Sequence, residues 1–229
     1  MITSFIKGLF LATVILWYST ARAQEDYIVY LQPQFSMNYK VAPYYYHNFS
    51  LSSRNFIFQN ENLQFEGRHL DLSHFSTFKT GVGTSFAAGL LYRFRESFDA
   101  SMDNEIRFTQ QFNVTTSPYK VRYGHRIRME QRIVPTSTTH RFRYRFALDV
   151  PLAGEKVDLK EAYLILNTEA LLSVARGISP QLDQRISATI GWLLTEQLQL
   201  QTGLEHRWEN YTRLTQPVLF LTSTLIFSL

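Results

Sequence analysis

The chain has 229 residues, no cysteine, a formal net charge of +4, 18% charged residues and 15% aromatics. An ordinary soluble domain carries about 25% charged residues, so this chain is charge-poor and rich in Phe and Tyr. Disorder is excluded by the apolar content, and disulfide frameworks, cysteine metal sites and lipid-anchored N-terminal cysteines by the absence of Cys.

Residues 1–23, MITSFIKGLFLATVILWYSTARA, place Lys7 before an apolar run from Gly8 to Tyr18 and end in Ala21-Arg22-Ala23. That is the n-, h- and c-region order of a secretory signal peptide. The run is too short for a spanning helix, which needs about 20 apolar residues. Cleavage after Ala23 removes Lys7 and Arg22 and no acid, so the net charge falls from +4 to +2. Residues 24–229 are then a single domain.

From Tyr27 onward the chain alternates. Val29, Leu31, Phe35 and Met37 oppose Gln32, Gln34, Ser36 and Asn38. Leu90, Tyr92 and Phe94 oppose Arg93 and Arg95, and Ile106, Phe108 and Phe112 oppose Glu105, Arg107 and Gln111. Val121 to Ile133 sets Tyr123, Ile127 and Met129 against Arg122, Arg126, Arg128, Glu130 and Arg132. Phe142, Tyr144 and Phe146 then oppose Arg141, Arg143 and Arg145. Later, Ile186 and Ile190 oppose Arg185, and Leu204 and Trp208 oppose Glu205 and Arg207. Period two is the strand signature. One face is apolar over its full length and the other charged, over segments as long as the 9–11 residues of a tilted transmembrane strand. That pattern predicts an all-β, antiparallel transmembrane β-barrel with its apolar face on lipid. Only closed sheets or helices satisfy their backbone in hydrocarbon.

Ten strands are expected, at 26–38, 62–71, 81–95, 103–115, 119–133, 139–150, 160–172, 182–194, 197–210 and 217–229. Residues 49–58 are a further candidate, and one more hairpin would make twelve. An even count puts both termini at one rim, the periplasmic one. On this count 39–61 is a long outer loop. Its Tyr44, Tyr45 and Tyr46 suit either an aromatic girdle or a ligand-contacting loop. The last strand, ending TSTLIFSL, is similar to the C-terminal signal read by the barrel-assembly machinery, with Leu229 where Phe or Trp is usual.

GHRIRMEQRI (124–133) followed by HRFRYRFALDVPL (140–152) resembles the basic hairpin of a family of exported Gram-negative proteins. That family is classed as a domain of unknown function, and its members are taken to be outer-membrane barrels. LYRFRE (91–96) fits the same family. Its members carry a Glu in a later strand, matched by Glu161 or Glu169, and an Arg opening the next, matched by Arg185. The likeness covers residues 80–229. It implies a compartment and an architecture, and no activity.

The polar faces carry Arg93, Arg95, Arg107, Lys120, Arg122, Arg126, Arg128, Arg132, Arg141, Arg143, Arg145, Arg185 and Arg207. Their acids are Glu105, Glu130, Asp149, Glu161, Glu169, Glu205 and Glu209. Two readings follow. Ion pairs plug a narrow barrel of structural or surface-interaction role, or the basic excess lines a narrow, porin-like path for a small anionic solute.

Other chemistry finds little support. His125, His140 and His206 share the apolar register. His69, Asp71, Ser73 and His74 offer a conceivable Ser–His–Asp set, but neighbours along one strand rarely adopt triad geometry. The spacing of His69 and His74 would suit a metal on a helix, but this stretch is a strand or turn; no P-loop or dinucleotide fingerprint occurs, so no cofactor is expected. Basic residues alternate with aromatics, so no nucleic-acid surface is expected. A non-enzymatic protein whose partners are outer-membrane lipid and the assembly machinery is the expectation. A soluble periplasmic β-protein is the rival.

Overall fold

The computed structural model describes residues 27–59 and 62–229; the segment 1–23, expected as a signal peptide, lies outside them. Eleven strands follow in chain order: β1 (Ile28–Ala42), β2 (Tyr45–Gln59), β3 (Asn62–Gly81), β4 (Thr84–Phe94), β5 (Glu105–Thr116), β6 (Arg122–Val134), β7 (Ser137–Pro151), β8 (Ala162–Ala175), β9 (Ile178–Leu193), β10 (Leu198–Glu209) and β11 (Gln216–Ser228). Each pairs with its chain neighbours, and β11 pairs back with β1, closing the sheet into a barrel.

The count of eleven falls between the expected ten and twelve. The extra strand is β2. Within the segment 39–61, expected as a loop with 49–58 as a candidate strand, Tyr45–Gln59 forms β2, which pairs against β1 from Ala42↔Tyr45 to Val29↔Phe58. The expected loop 72–80 is the second half of β3, which runs unbroken for 20 residues. An odd count forces β1 and β11 to run parallel, with Ile28 beside Val218 and Asn38 beside Ser228. The other ten pairings are antiparallel. The two ends of the described chain therefore sit at opposite rims, which corrects the expectation of one shared rim. We call them the N-terminal rim, where β1 begins, and the C-terminal rim, where β11 ends.

The faces divide by residue chemistry. Every strand presents large apolar side chains outward, including Phe35, Phe49, Leu72, Phe86, Phe108, Ile127, Phe142, Leu166, Ile186, Leu204 and Leu225. No second sheet covers them among the described residues. The buried side chains are mostly polar or charged and point inward, Glu105, Glu130, Glu169 and Arg185 among them. An eight-stranded barrel is just filled by its side chains. Eleven strands leave a wider interior, which long arginines occupy.

Small residues admit the bulkiest inward rings. The Phe75 ring lies where a Cβ on Gly89 would sit, and the Tyr163 ring does the same over Gly191. A ring laid over a bare glycine in this way is a known device for pinning strand register. At the N-terminal rim the 95–104 connection is pinned locally. Ser101 donates to Asp99 Oδ1 from its hydroxyl (2.6 Å) and its backbone N (2.9 Å). Those bonds hold the Asp99 carboxyl below its ordinary range.

Candidate functional site: an arginine-lined interior

Alternation dictates the inward set, and cross-strand register decides who meets whom. Four arginine pairs face each other directly: Arg107↔Arg132, Arg126↔Arg145, Arg128↔Arg143 and Arg185↔Arg207. Like charges set directly opposite are destabilising; Glu105 bridges the Arg107–Arg132 pair and Glu130 the Arg128–Arg143 pair. Three carboxylates act as hubs. Glu105 accepts from Arg132 through both oxygens (2.9 and 2.6 Å), pairs with Arg107, and lies 3.8 Å from Arg95. Glu130 accepts from Arg143 at 2.6 Å and from Arg128 at 3.4 Å. Glu169 accepts from Arg143 at 2.5 Å and Arg145 at 3.0 Å, with Arg185 3.6 Å away. Arg143 thus joins two hubs.

Outlying pairs complete the network. Arg93 grips Asp71 in a two-bond fork at 2.7 and 2.6 Å. Arg207 donates to Glu205 at 2.5 Å, and Arg141 reaches Asp183 at 3.4 Å. Forked guanidinium–carboxylate geometry is the strong form of this contact.

A cavity of about 1680 Å³ runs inward from the N-terminal rim along this network. Thirteen arginines and seven carboxylates line it, and Glu105 and Glu169 lie outside its lining. A second cavity of about 900 Å³ lies at the C-terminal rim, between Tyr119, Arg122, Asp149, Tyr163, Gln199 and Gln201. The two share no lining residue.

Of the expected cluster, Arg126, Arg128, Glu130, Arg132, Arg141, Arg143, Arg145, Arg185, Glu205 and Arg207 line the larger cavity, and Glu169 is buried among them. Arg122 is placed elsewhere. It pairs with Asp149 in the second cavity, its side chain 59% exposed. Lys120 sits there as well. Glu161 is in the 152–161 connection, accepting from the Asp158 backbone, so Glu169 alone of the two joins the network. Arg54, Arg68, Asp71 and Asp183 were not in the expected set, and all four line the larger cavity. Parity would have found Arg54 once 45–59 was taken as a strand. Arg68 is beyond parity, because the register shifts between Arg54 and Asn55 where β2 meets β3.

The His–Asp–Ser set is not assembled. Ser73 is inward and shares a hydrogen bond with Ser50 (2.7 Å), whereas His74 is on the opposite face, stacked on Phe49 and bonded to His47 (2.9 Å). Among the described residues no group of three His, Cys, Asp or Glu could hold a metal ion.

Fold and interior together define a closed β-barrel with a buried ion-pair network. The chain belongs to the family of proteins of unknown function DUF2490, whose model matches residues 17–216. Neither the curated proteins nor the solved structures gave a match.

Proposed function

We propose that the chain is an exported barrel of the outer membrane, non-enzymatic, with a structural or surface-interaction role and a net-basic lumen filled by ion pairs. The observation that carries this reading is the inverted distribution of side chains. Large apolar residues point outward from every strand, and charges point inward. A soluble protein rarely exposes an apolar patch beyond about 300–600 Å², whereas a lipid-embedded barrel needs one all round. Polar side chains on the outer face also satisfy one another. Gln110 and Gln131 exchange two hydrogen bonds at 3.2 Å, Gln184 donates to Thr168 at 2.7 Å, and His125 bonds the Tyr144 hydroxyl at 2.8 Å. Pairing of this kind lowers the cost of placing them in an apolar medium.

In this reading residues 1–23 are the export signal, lipid surrounds the belt, and β11 is the strand recognised by the assembly machinery. Cell fractionation with a carbonate wash tests it. Retention in the outer-membrane pellet is the expected result. Release into the wash would support a soluble periplasmic protein instead.

A second reading, a narrow anion-preferring path, is favoured by the arginine excess of the larger cavity. Against it, the two cavities share no lining residue. Planar-bilayer recording separates the readings. The plug predicts no stable conductance, and the path predicts small, anion-selective steps.

A further inference from the structure

Three arginines gather on one aromatic cluster at the N-terminal rim. Tyr30, Phe56 and Phe220 pack inward, with Tyr30 4.8 Å from Phe56 and 5.1 Å from Phe220 between ring centroids. Arg54 lies over Phe220 (4.7 Å) and Tyr30 (5.4 Å), Arg68 over Tyr30 (5.1 Å), and Arg207 over Phe220 (3.7 Å). All three line the larger cavity.

Their charges are unequally met. Arg207 has Glu205 and, at 3.9 Å, Glu209. Arg54 and Arg68 form no ion pair with any carboxylate among the described residues. Among the described residues Arg54 donates only to the side-chain oxygen of Gln32, at 3.2 and 3.4 Å, and Arg68 to the Tyr30 hydroxyl. Aspartate 71 is committed to Arg93. Stacking on an aromatic face occupies the plane of a guanidinium and leaves its N–H edge free. Each guanidinium has five donors, so most of those on Arg54 and Arg68 are unspent. A low-dielectric wall makes unmatched cations costly, and an anion in the cavity would relieve that cost.

We propose that the N-terminal-rim cavity holds a phosphate group between Arg54 and Arg68, either free or carried on a small organic molecule. A tetrahedral dianion accepts from more edges at once than a planar carboxylate, which suits two guanidinium groups that both lie against the Tyr30 ring. Arg207 adds positive potential, and Glu209 on the same wall limits entry of larger polyanions. The site depends on the closed barrel alone and not on membrane insertion, so it stands or falls separately from the fractionation result.

Calorimetric titration of the full barrel in a zwitterionic detergent tests it, with inorganic phosphate in one arm and glycerol 3-phosphate in the other. The expected result is saturable one-to-one binding that weakens with added salt. Binding of both probes assigns free phosphate as sufficient; binding of glycerol 3-phosphate alone assigns an organic carrier. Arg54→Gln combined with Arg68→Gln should weaken binding at least tenfold. Arg54→Lys, which keeps charge but loses the fork, should give an intermediate loss and guards against misfolding of the double variant. Arg122→Gln, in the other cavity, should bind as the parent does. Absence of saturable heat from both probes, or unchanged affinity in both Arg54 variants, would overturn the site.

Discussion

Arg126 and Arg145 face each other directly across the β6–β7 ladder, yet only Arg145 reaches a carboxylate. Arg126 donates to Asn113 Oδ1 at 3.0 Å instead. Its half-buried charge lies beside a like charge with a neutral acceptor as its partner. Replacing such a group by an apolar side chain of similar length is often neutral or stabilising. Arg126→Met should therefore leave unfolding free energy within about 1 kcal/mol of the parent or raise it. Arg145→Met strips Glu169 of a partner and should destabilise. Urea unfolding followed by tryptophan fluorescence compares the two. A larger loss for Arg126→Met than for Arg145→Met would contradict this account.

Glu169 carries more of the network than Glu205 does. Three arginines converge on it, against one within 2.5 Å of Glu205. Neutralising it leaves Arg145 and Arg185 without their carboxylate. Breaking a buried pair from one side costs about 3–5 kcal/mol, and Glu169→Gln should fall in that range. Glu205→Gln should cost less, because Arg207 retains its stacking on Phe220 and its contact with Glu209. Equal losses in the same unfolding experiment would show that convergence is not what stabilises the site.

The outer face offers a direct probe of the surrounding medium. Tyr144 points outward from the middle of β7, and its immediate neighbours Arg143 and Arg145 point inward. An arginine on the lipid face at the bilayer midplane costs about 2–4 kcal/mol. Phe142→Arg should lose that amount when the barrel unfolds from lipid vesicles. A change below about 0.5 kcal/mol, the usual range for a water-exposed site, would mean that residue 142 faces water.

Gly191 and Tyr163 make a packing test independent of charge. A Cβ at residue 191 would meet Tyr163 Cζ at 2.3 Å. The ring is not free to swing away, since its hydroxyl donates to Gln199 and accepts from Gln201, both at 2.9 Å. Gly191→Ala should cost about 1–3 kcal/mol. In a Tyr163→Ala background the same change should cost almost nothing. A full penalty in both backgrounds would place the strain in the backbone and not against the ring.

Alternation alone made β6 and β7 legible: Arg143 and Arg145 had to share a face opposite Phe142 and Tyr144, and one-residue slips would exchange the two. What alternation does not carry is register between strands. That Glu169 meets Arg143 and Arg145 follows from the β7–β8 pairing, and Glu105 meets Arg132 through β5–β6. Both depend on stagger, which leaves no trace in either strand by itself. The strand β2 was obscured for a different reason. Its inward side mixes Asn48, Ser50 and Ser52 with Arg54 and Phe56, and a register shift falls within it. At that rim the inward side chains are aromatic, because the arginines there stack on rings. The rule of apolar outside and polar inside fails locally where Tyr30, Phe56, Val218 and Phe220 form an internal apolar cluster.

The parallel seam has a consequence for the order in which the molecule can be built. Every other ladder joins strands that are consecutive in the chain, so each can zip up as soon as its second strand exists. The seam is different: the Asn38 amide donates to the Ser228 hydroxyl across 190 residues of sequence. Loop-closure entropy grows only slowly with length, so the distance itself is a modest penalty. The delay is what matters. Until the last thirteen-residue strand arrives, β1 and β10 are both open edges, each a template for pairing with another chain. The β11 strand then satisfies both in one docking event. It acts as a latch, and a chain halted before it would be a curled, sticky ribbon and not a smaller barrel.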